Sequence, residues 1–383
     1  MIKNTVDFTI GIAPDNASIE QDLLFIKSAL LYADTITLIS PMASTYYKLT
    51  NETNRQNEKT LFELINKVLL FCQSANPDKC EEMKPALDQF GEILHSSQYK
   101  SAPIKLRLQI KTALNKFGRD VSKALENMLG QEDCSDLTYL VTNGMVKLYD
   151  FKATFGGDEY IYEFFTELKR SVIDMKSFPL FDTLSNNLIK SAIDDHIIAL
   201  NEVNEFNVKH AGLTSNLLVS LPSFEFATTN EILDIRKELE APLIRFRSKM
   251  LFYNNEIQSM PWDKEFQYES IRLYQKEIAP SVLEIDELTR ESGFIKNLGY
   301  NVLTDESGLK VAGGLVISIA AAGAISTYSD NLSFDTTMLT AGGAYAISKI
   351  AKSFKEYQVN QNMAKKKDMY FYFKAGNLLD KTK

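Results

Sequence analysis

The sequence predicts a predominantly α-helical α/β protein, with a small N-terminal parallel βαβ sheet, a large helical body and a C-terminal helical hairpin. Three observations carry this reading. Two short β-prone runs near the N-terminus flank one helix-length segment with helical spacing. Most of the chain beyond them repeats its apolar residues every three or four positions. Near the C-terminus, Val311 to Ser329 carries no charge between Lys310 and Asp330, and a second uncharged stretch, Thr336 to Ser348, follows a short connection.

Residues 1–41 read as the start of an α/β head. Phe8 to Ile12 (FTIGI) ends at Pro14, Ser18 opens a capping box with Gln21, and Leu23, Ile26, Leu30 and Ala33 follow at helical spacing. A second strand, Thr35 to Ile39 (TITLI), ends at Pro41. A crossover of about twenty residues containing one helix suits a parallel pair. It places Asp15, Asn16 and Ser40 together at the carboxyl edge, where open α/β sheets bind ligands. The plainer reading of Asp15, Asn16 and Ser18 is that they cap the helix, since short polar side chains satisfy its first N–H groups.

Residues 42–150 read as a helical insertion, with Leu61, Leu64, Ile65, Val68, Leu69 and Cys72 on one face and a break at Asn76-Pro77-Asp78. Residues 151–225 read as helices over Tyr160 to Ile173 and Leu184 to Leu200, with Leu217 to Leu221 as a strand returning to the sheet. Residues 226–300 read as a long antiparallel helical pair. Its first helix carries the seam Ile232, Ile235, Leu239, Leu243, Phe246, Met250, Tyr253 and Ile257, kinked by Pro242. After the Met260-Pro261-Trp262 turn, Tyr274, Ile278, Val282 and Ile285 repeat at similar spacing. Residues 301–383 hold the hairpin, a basic tail and a final strand at Tyr370 to Phe373 (YFYF).

Composition narrows the function classes. The 383 residues are 45% hydrophobic and 24% charged, which suits a folded chain and not a disordered one. No charged-then-apolar leader opens the sequence, so the expected location is the cytoplasm. Three cysteines, Cys72, Cys80 and Cys134, form no CxxC pair and read as reduced thiols. A net charge of −8 argues against a general nucleic-acid binder. The charge is uneven: Lys349 to Lys383 carries +6, leaving −14 on the rest, and this tail reads as the only basic region.

Few constellations carry chemistry. Gly156-Gly157-Asp158-Glu159-Tyr160 imitates a nucleotide-cyclase signature, but its companion acids are missing and it reads as a loop and helix start. Asp194-Asp195-His196 are adjacent and point different ways on a helix, so they do not make a metal site. The three histidines, His95, His196 and His210, read as surface or capping residues. There is no Walker loop, GxGxxG or GxSxG. No catalytic residue, metal or cofactor is assigned. Arg236, Arg245 and Arg247 are a candidate anion clamp, with pairing to Glu238 and Glu240 as the plainer alternative.

The hairpin has two readings, a buried core element or a membrane-active pair. Nineteen residues span about 28 Å as a helix, near the thickness of a hydrocarbon core. Gly314, Ser318, Ala322 and Ser326 form a small-residue face, and Gly342 and Gly343 lie in the second segment; such faces allow close helix approach in either setting. Lys349, Lys352 and Lys355 follow the hairpin while its connecting loop is acidic, the asymmetry expected of membrane topology.

The segment LLYADTITLISP, the phrase FPLFD at Phe178 to Asp182, EILDIRKEL with RFRSKM at Arg245 to Met250, and the closing MYFYFK resemble a bacterial family of unknown function. The resemblance implies a setting among prophage or phage-defence genes and supplies no residue roles. The reading is then a non-enzymatic cytoplasmic effector or sensor with protein partners or self-association, and with possible membrane contact through 311–348. The alternatives are a metal-dependent nuclease or other phosphoryl-transfer enzyme using Asp15 at the sheet edge, and an oligomeric scaffold built on the seam helix.

Overall fold

The computed structural model describes residues 5–13, 19–51, 58–75, 77–152, 158–289 and 359–380. Asp15, Asn16 and Ser18 lie outside them, as does the whole hairpin with Gly314, Ser318, Ala322, Ser326, Gly342 and Gly343. The described chain forms two compact units. The first holds residues up to Ser215 together with Met260–Asp263, and the second holds Asn216–Ser259 with the described residues from Lys264 onward.

The first unit is built on a parallel sheet of four strands in the order β3-β2-β1-β4. β1 (Asp7–Gly11), α1 (Glu20–Tyr32) and β2 (Thr35–Ile39) make the expected βαβ start, with Asp7 opposite Thr35 and Gly11 opposite Ile39. The first described position before α1 is Ile19, which offers no capping side chain. β3 (Val146–Leu148) pairs with β2, and β4 (Ser177–Phe181) pairs with β1, both in parallel.

The two central strands bury Phe8 and Ile10 of β1 and Ile36, Leu38 and Ile39 of β2, in keeping with a parallel sheet covered on both faces. Phe8 of β1 meets Tyr32 of α1 at a ring distance of 5.8 Å. Three positions along, on the opposite face by strand alternation, a Cβ on Gly11 would lie 2.3 Å from Leu168 Cδ2 and 2.8 Å from Phe181 Cδ1. Leu168 belongs to α8 (Asp158–Ile173), so α1 and α8 lie on opposite faces of β1, and only a glycine admits this approach.

Between β2 and β3 runs the helical insertion: α2 (Pro41–Asn51), α3 (Glu58–Ala75), α4 (Pro77–His95), α5 (Ser97–Ser101), α6 (Ile104–Leu129) and α7 (Gln131–Thr142). Pro77 opens α4 at the break expected there, since a first-turn proline loses no helical hydrogen bond. Leu61, Leu64, Ile65, Val68 and Leu69 are buried as their spacing requires. α9 (Thr183–Asp194) and α10 (Glu202–Val219) follow β4, and the boundary between the units falls within α10.

Two sequence expectations are corrected here, and one strand is added. Leu217 to Leu221 is not the returning strand. Leu217 and Leu218 are buried in the last turn of α10, and a short apolar run cannot by its pattern be told from a buried helix. The strand that returns is β4, whose interior Pro179 obscured it; proline has no N–H for a ladder and is tolerated because β4 is an edge strand. The helix expected over Leu184 to Leu200 ends at Asp194, where His196 turns the chain at φ 59°.

The second unit is helical: α11 (Thr229–Glu238), α12 (Glu240–Asn254), α13 (Lys264–Leu273), a π-helical turn (Tyr274–Ile278), α14 (Ala279–Thr289) and α15 (Tyr370–Asp380). Tyr370 to Phe373 opens α15 and is not a strand. All four aromatic residues are buried, and four successive helical positions face every direction, so the first turn of this helix is enclosed on every side. α15 packs against α11, α12 and α14, which corrects the simple pair of antiparallel helices: the seam rests on a third element from the end of the chain.

Every residue of the seam from Ile232 to Ile257 is buried, as are Tyr274, Ile278, Val282 and Ile285. The seam helix breaks at Leu239, three residues before Pro242, which withholds the N–H that a continuous helix needs. The π turn has a similar cause. Ala279 donates to Tyr274 O five residues back, immediately before Pro280, which has no N–H to give.

Phe246 is fully buried, with its ring 5.1 Å from Phe371 and 6.4 Å from Tyr372. Phe246→Ala is expected to lower stability by about 3–5 kcal/mol through lost burial and the cavity left behind. Urea denaturation checks this, and an unchanged midpoint would contradict the enclosed packing.

Candidate functional site

The chain runs β1, β2, β3 outward in one direction and then returns to place β4 on the other side of β1. The carboxyl ends of β1 and β4 therefore form the topological switch point, the place where open α/β sheets receive ligands. Ile12 and Ala13 leave β1 here, Ser40 leaves β2 beside them, and Asp182 follows β4. Ile12 N–H donates to Ile39 O at 3.0 Å and Asp182 N–H to Gly11 O at 3.2 Å, so the strand ends are stitched together beyond the regular ladder.

Ser40 is buried at this edge, as expected, and its Oγ accepts from Ala43 N at 3.1 Å, capping α2. Asp15 and Asn16, expected beside it, lie outside the described residues. The carboxylate that the structure does place here is Asp182, only 1% exposed. Its Oδ1 accepts from Ser185 N at 2.8 Å, capping α9, and its Oδ2 accepts from Ala13 N at 3.1 Å. One side chain thus holds the start of a helix and the exit of the central strand. The sequence contains its signal, an Asp followed three residues later by Ser at the end of an apolar run, which marks a helix start.

Below this edge a polar pair is buried between α1 and α10. Tyr32 Oη and His210 Nε2 are 2.9 Å apart, and Ser28 Oγ and Ser215 Oγ are 3.0 Å apart one turn further along α1. The His210 ring also packs on Phe178 at 5.0 Å and stacks on Phe206 at 6.1 Å. Complete burial pushes the His210 pKa down to about 3, so the ring is neutral near pH 7. Its Nδ1 has no hydrogen-bond partner among the described residues. This corrects the expectation of surface or capping histidines, which His196 and His95 do meet: His196 is exposed in the turn after α9, and His95 Nδ1 lies 2.8 Å from Gly91 O. No periodic signal distinguishes His210, because the apolar pattern of α10 is interrupted by several buried polar residues.

The remaining candidates do not form a shared site. Arg236 lies on α11 and the other two arginines on α12; Arg245 and Arg247, two positions apart, project to different sides of the helix. Arg245 Nη2 donates to Lys365 O, a structural use within the second unit. Cys134 is a buried free thiol whose pKa burial pushes up to about 12, which leaves it protonated and unreactive. Among the described residues no three His, Cys, Asp or Glu side chains could hold a metal ion together. Comparison with family models, with curated proteins and with solved structures finds no match for this chain.

Two outcomes follow from this geometry. Asp182→Ala is expected to cost about 2–4 kcal/mol, because it removes a helix cap and strands a buried N–H, with Asp182→Asn falling between it and the native protein in chemical denaturation. The His210 pair sets a pH dependence. The folded pKa of about 3 lies below the ordinary 6.5, so the unfolded chain takes up the proton first and stability is lost as pH falls from 6.5 toward 3. Between pH 7 and pH 5 the native protein should lose about 2 kcal/mol more than His210→Gln, and equal losses would show that the ring is solvated.

Proposed function

We propose that this protein is a non-enzymatic effector or sensor of a bacterial cell, acting in the cytoplasm in phage defence, through protein partners or self-association. The observation that carries the reading is the use made of the polar groups at the sheet edge. Asp182 binds two backbone N–H groups and Ser40 binds one, so the described side chains at the switch point hold the fold together and are not presented to a substrate. The resemblance of LLYADTITLISP, FPLFD and MYFYFK to a bacterial family of unknown function, which implies a setting among prophage or phage-defence genes, supports the reading.

Membrane activity of the 311–348 hairpin belongs to the same proposal. Its support is the uncharged run, the small-residue face and the basic residues on one flank. Among the described residues no helix is long and apolar enough to cross a membrane. A second reading, a metal-dependent phosphoryl-transfer enzyme centred on Asp15, has one observation in its favour: in the sequence this residue stands four positions after Gly11, where β1 ends at the switch point.

Asp15→Asn separates the two. Asn caps a helix nearly as well as Asp, so the fold is expected to survive, whereas a carboxylate bound to a catalytic metal has no neutral substitute. In plaque assays on cells carrying the gene, the effector reading expects the variant to protect as well as the native protein. Loss of protection with an unchanged melting temperature would favour the enzyme.

A further inference from the structure

The C-terminal tail is not the sole basic region. From Lys100 to Arg119 the sequence has six Lys or Arg residues and no Asp or Glu, in a chain whose net charge is −8. Most of this run lies on the first half of α6, and its beginning has an unusual surface. Residues 103–109 are exposed at every position, and seven successive residues of a helix start face all directions. Ile104 is 69% exposed and Leu108 59%, while the later residues Leu114, Val121, Leu125 and Leu129 of the same helix are buried in the helical insertion.

We infer that the first two turns of α6 are a docking surface for an anionic lipid bilayer. Ile104 and Leu108 are one turn apart on one side of the helix, and Lys111 continues that stripe. Lys105 and Arg107 lie to either side, where their aliphatic stems can follow the apolar surface while their charges reach lipid phosphates. Leu106 lies on the far side and is the least exposed of the three large residues, at 47%.

One feature of the segment favours lipid over other anionic partners. A nucleic-acid backbone rewards the cations and has no use for large exposed aliphatic side chains, whereas the boundary between headgroups and acyl chains uses both. The first turn of α6 also contains no acid and no capping side chain, so Lys105 and Arg107 stand against the positive end of the helix dipole. An anionic surface relieves that repulsion. Glu58 and Arg107 act in opposite directions on the Tyr99 hydroxyl, so an acid lies in the same neighbourhood as Arg107. Lys105 and Lys111 make no ion pair among the described residues. This segment is distant in sequence from the 311–348 run, and the inference does not depend on that run.

The test is sedimentation of the full-length protein with phosphatidylcholine vesicles and with vesicles also containing phosphatidylglycerol. Native protein is expected to sediment with the anionic vesicles and not with the neutral ones, less so as salt is raised. Lys105→Gln with Arg107→Gln should weaken binding roughly twentyfold or more, each cation near an anionic surface contributing several-fold. Ile104→Ser with Leu108→Ser should also weaken it, and Ile319→Lys in the hairpin should leave it intact. Absence of native binding to anionic vesicles would overturn the inference. So would α6 variants that bind like the native protein while Ile319→Lys does not, which assigns binding to the hairpin. Binding of duplex DNA without vesicles, lost in the cation variant, would overturn it in favour of nucleic acid. A change from dimer to monomer in the aliphatic variant, without vesicle binding, would overturn it in favour of self-association.

Discussion

A parallel sheet has to be covered on both faces, and the first unit depends on how the central strand β1 meets that demand. On one face Phe8 supports Tyr32 of α1, and on the other Gly11 lets α8 come close enough that any side chain would collide with Leu168 and Phe181. The strands are short, and β3 has three residues, so the sheet contributes few ladder hydrogen bonds. Its stability comes from helices pressed against it, which is why much of the first unit is helix while its topology is set by four strands.

The same economy governs the polar groups. Asp182 and Ser40 stand where an α/β enzyme would present its chemistry, and each is bound to backbone N–H groups that would otherwise be buried without partners. His210 Nε2 and the Tyr32 hydroxyl pair between two helices, with the imidazole held neutral by burial. These groups specify how elements join.

The second unit uses a different device. The helix α15 opens on four aromatic residues that have to be surrounded, and α11, α12 and α14 pack on it. The Tyr372 hydroxyl is 3.1 Å from Ser220 Oγ, and burial raises its pKa well above the usual phenol range. The prolines that interrupt the long helices are accommodated at junctions, Pro242 just after the break at Leu239 and Pro280 just after the π turn.

Periodicity determined which residues are core. The seam from Ile232 to Ile257 and the run from Leu61 to Leu69 are buried as their spacing demands, and the βαβ start was legible because two β-prone runs flanked one segment with helical spacing. Local pattern reports which faces avoid water, and it does not report what covers them. Tertiary structure alone decided that YFYF is helical, because a run apolar in every direction suits either a buried strand or an enclosed helix until its neighbours are known. It decided that SFPLF is a strand, because proline is admissible only if the strand is at an edge. At the sheet edge the sequence located the loops and Ser40, but the role of Asp182 follows from bringing residues 13 and 182 together, a contact between segments far apart in the chain that no local spacing encodes.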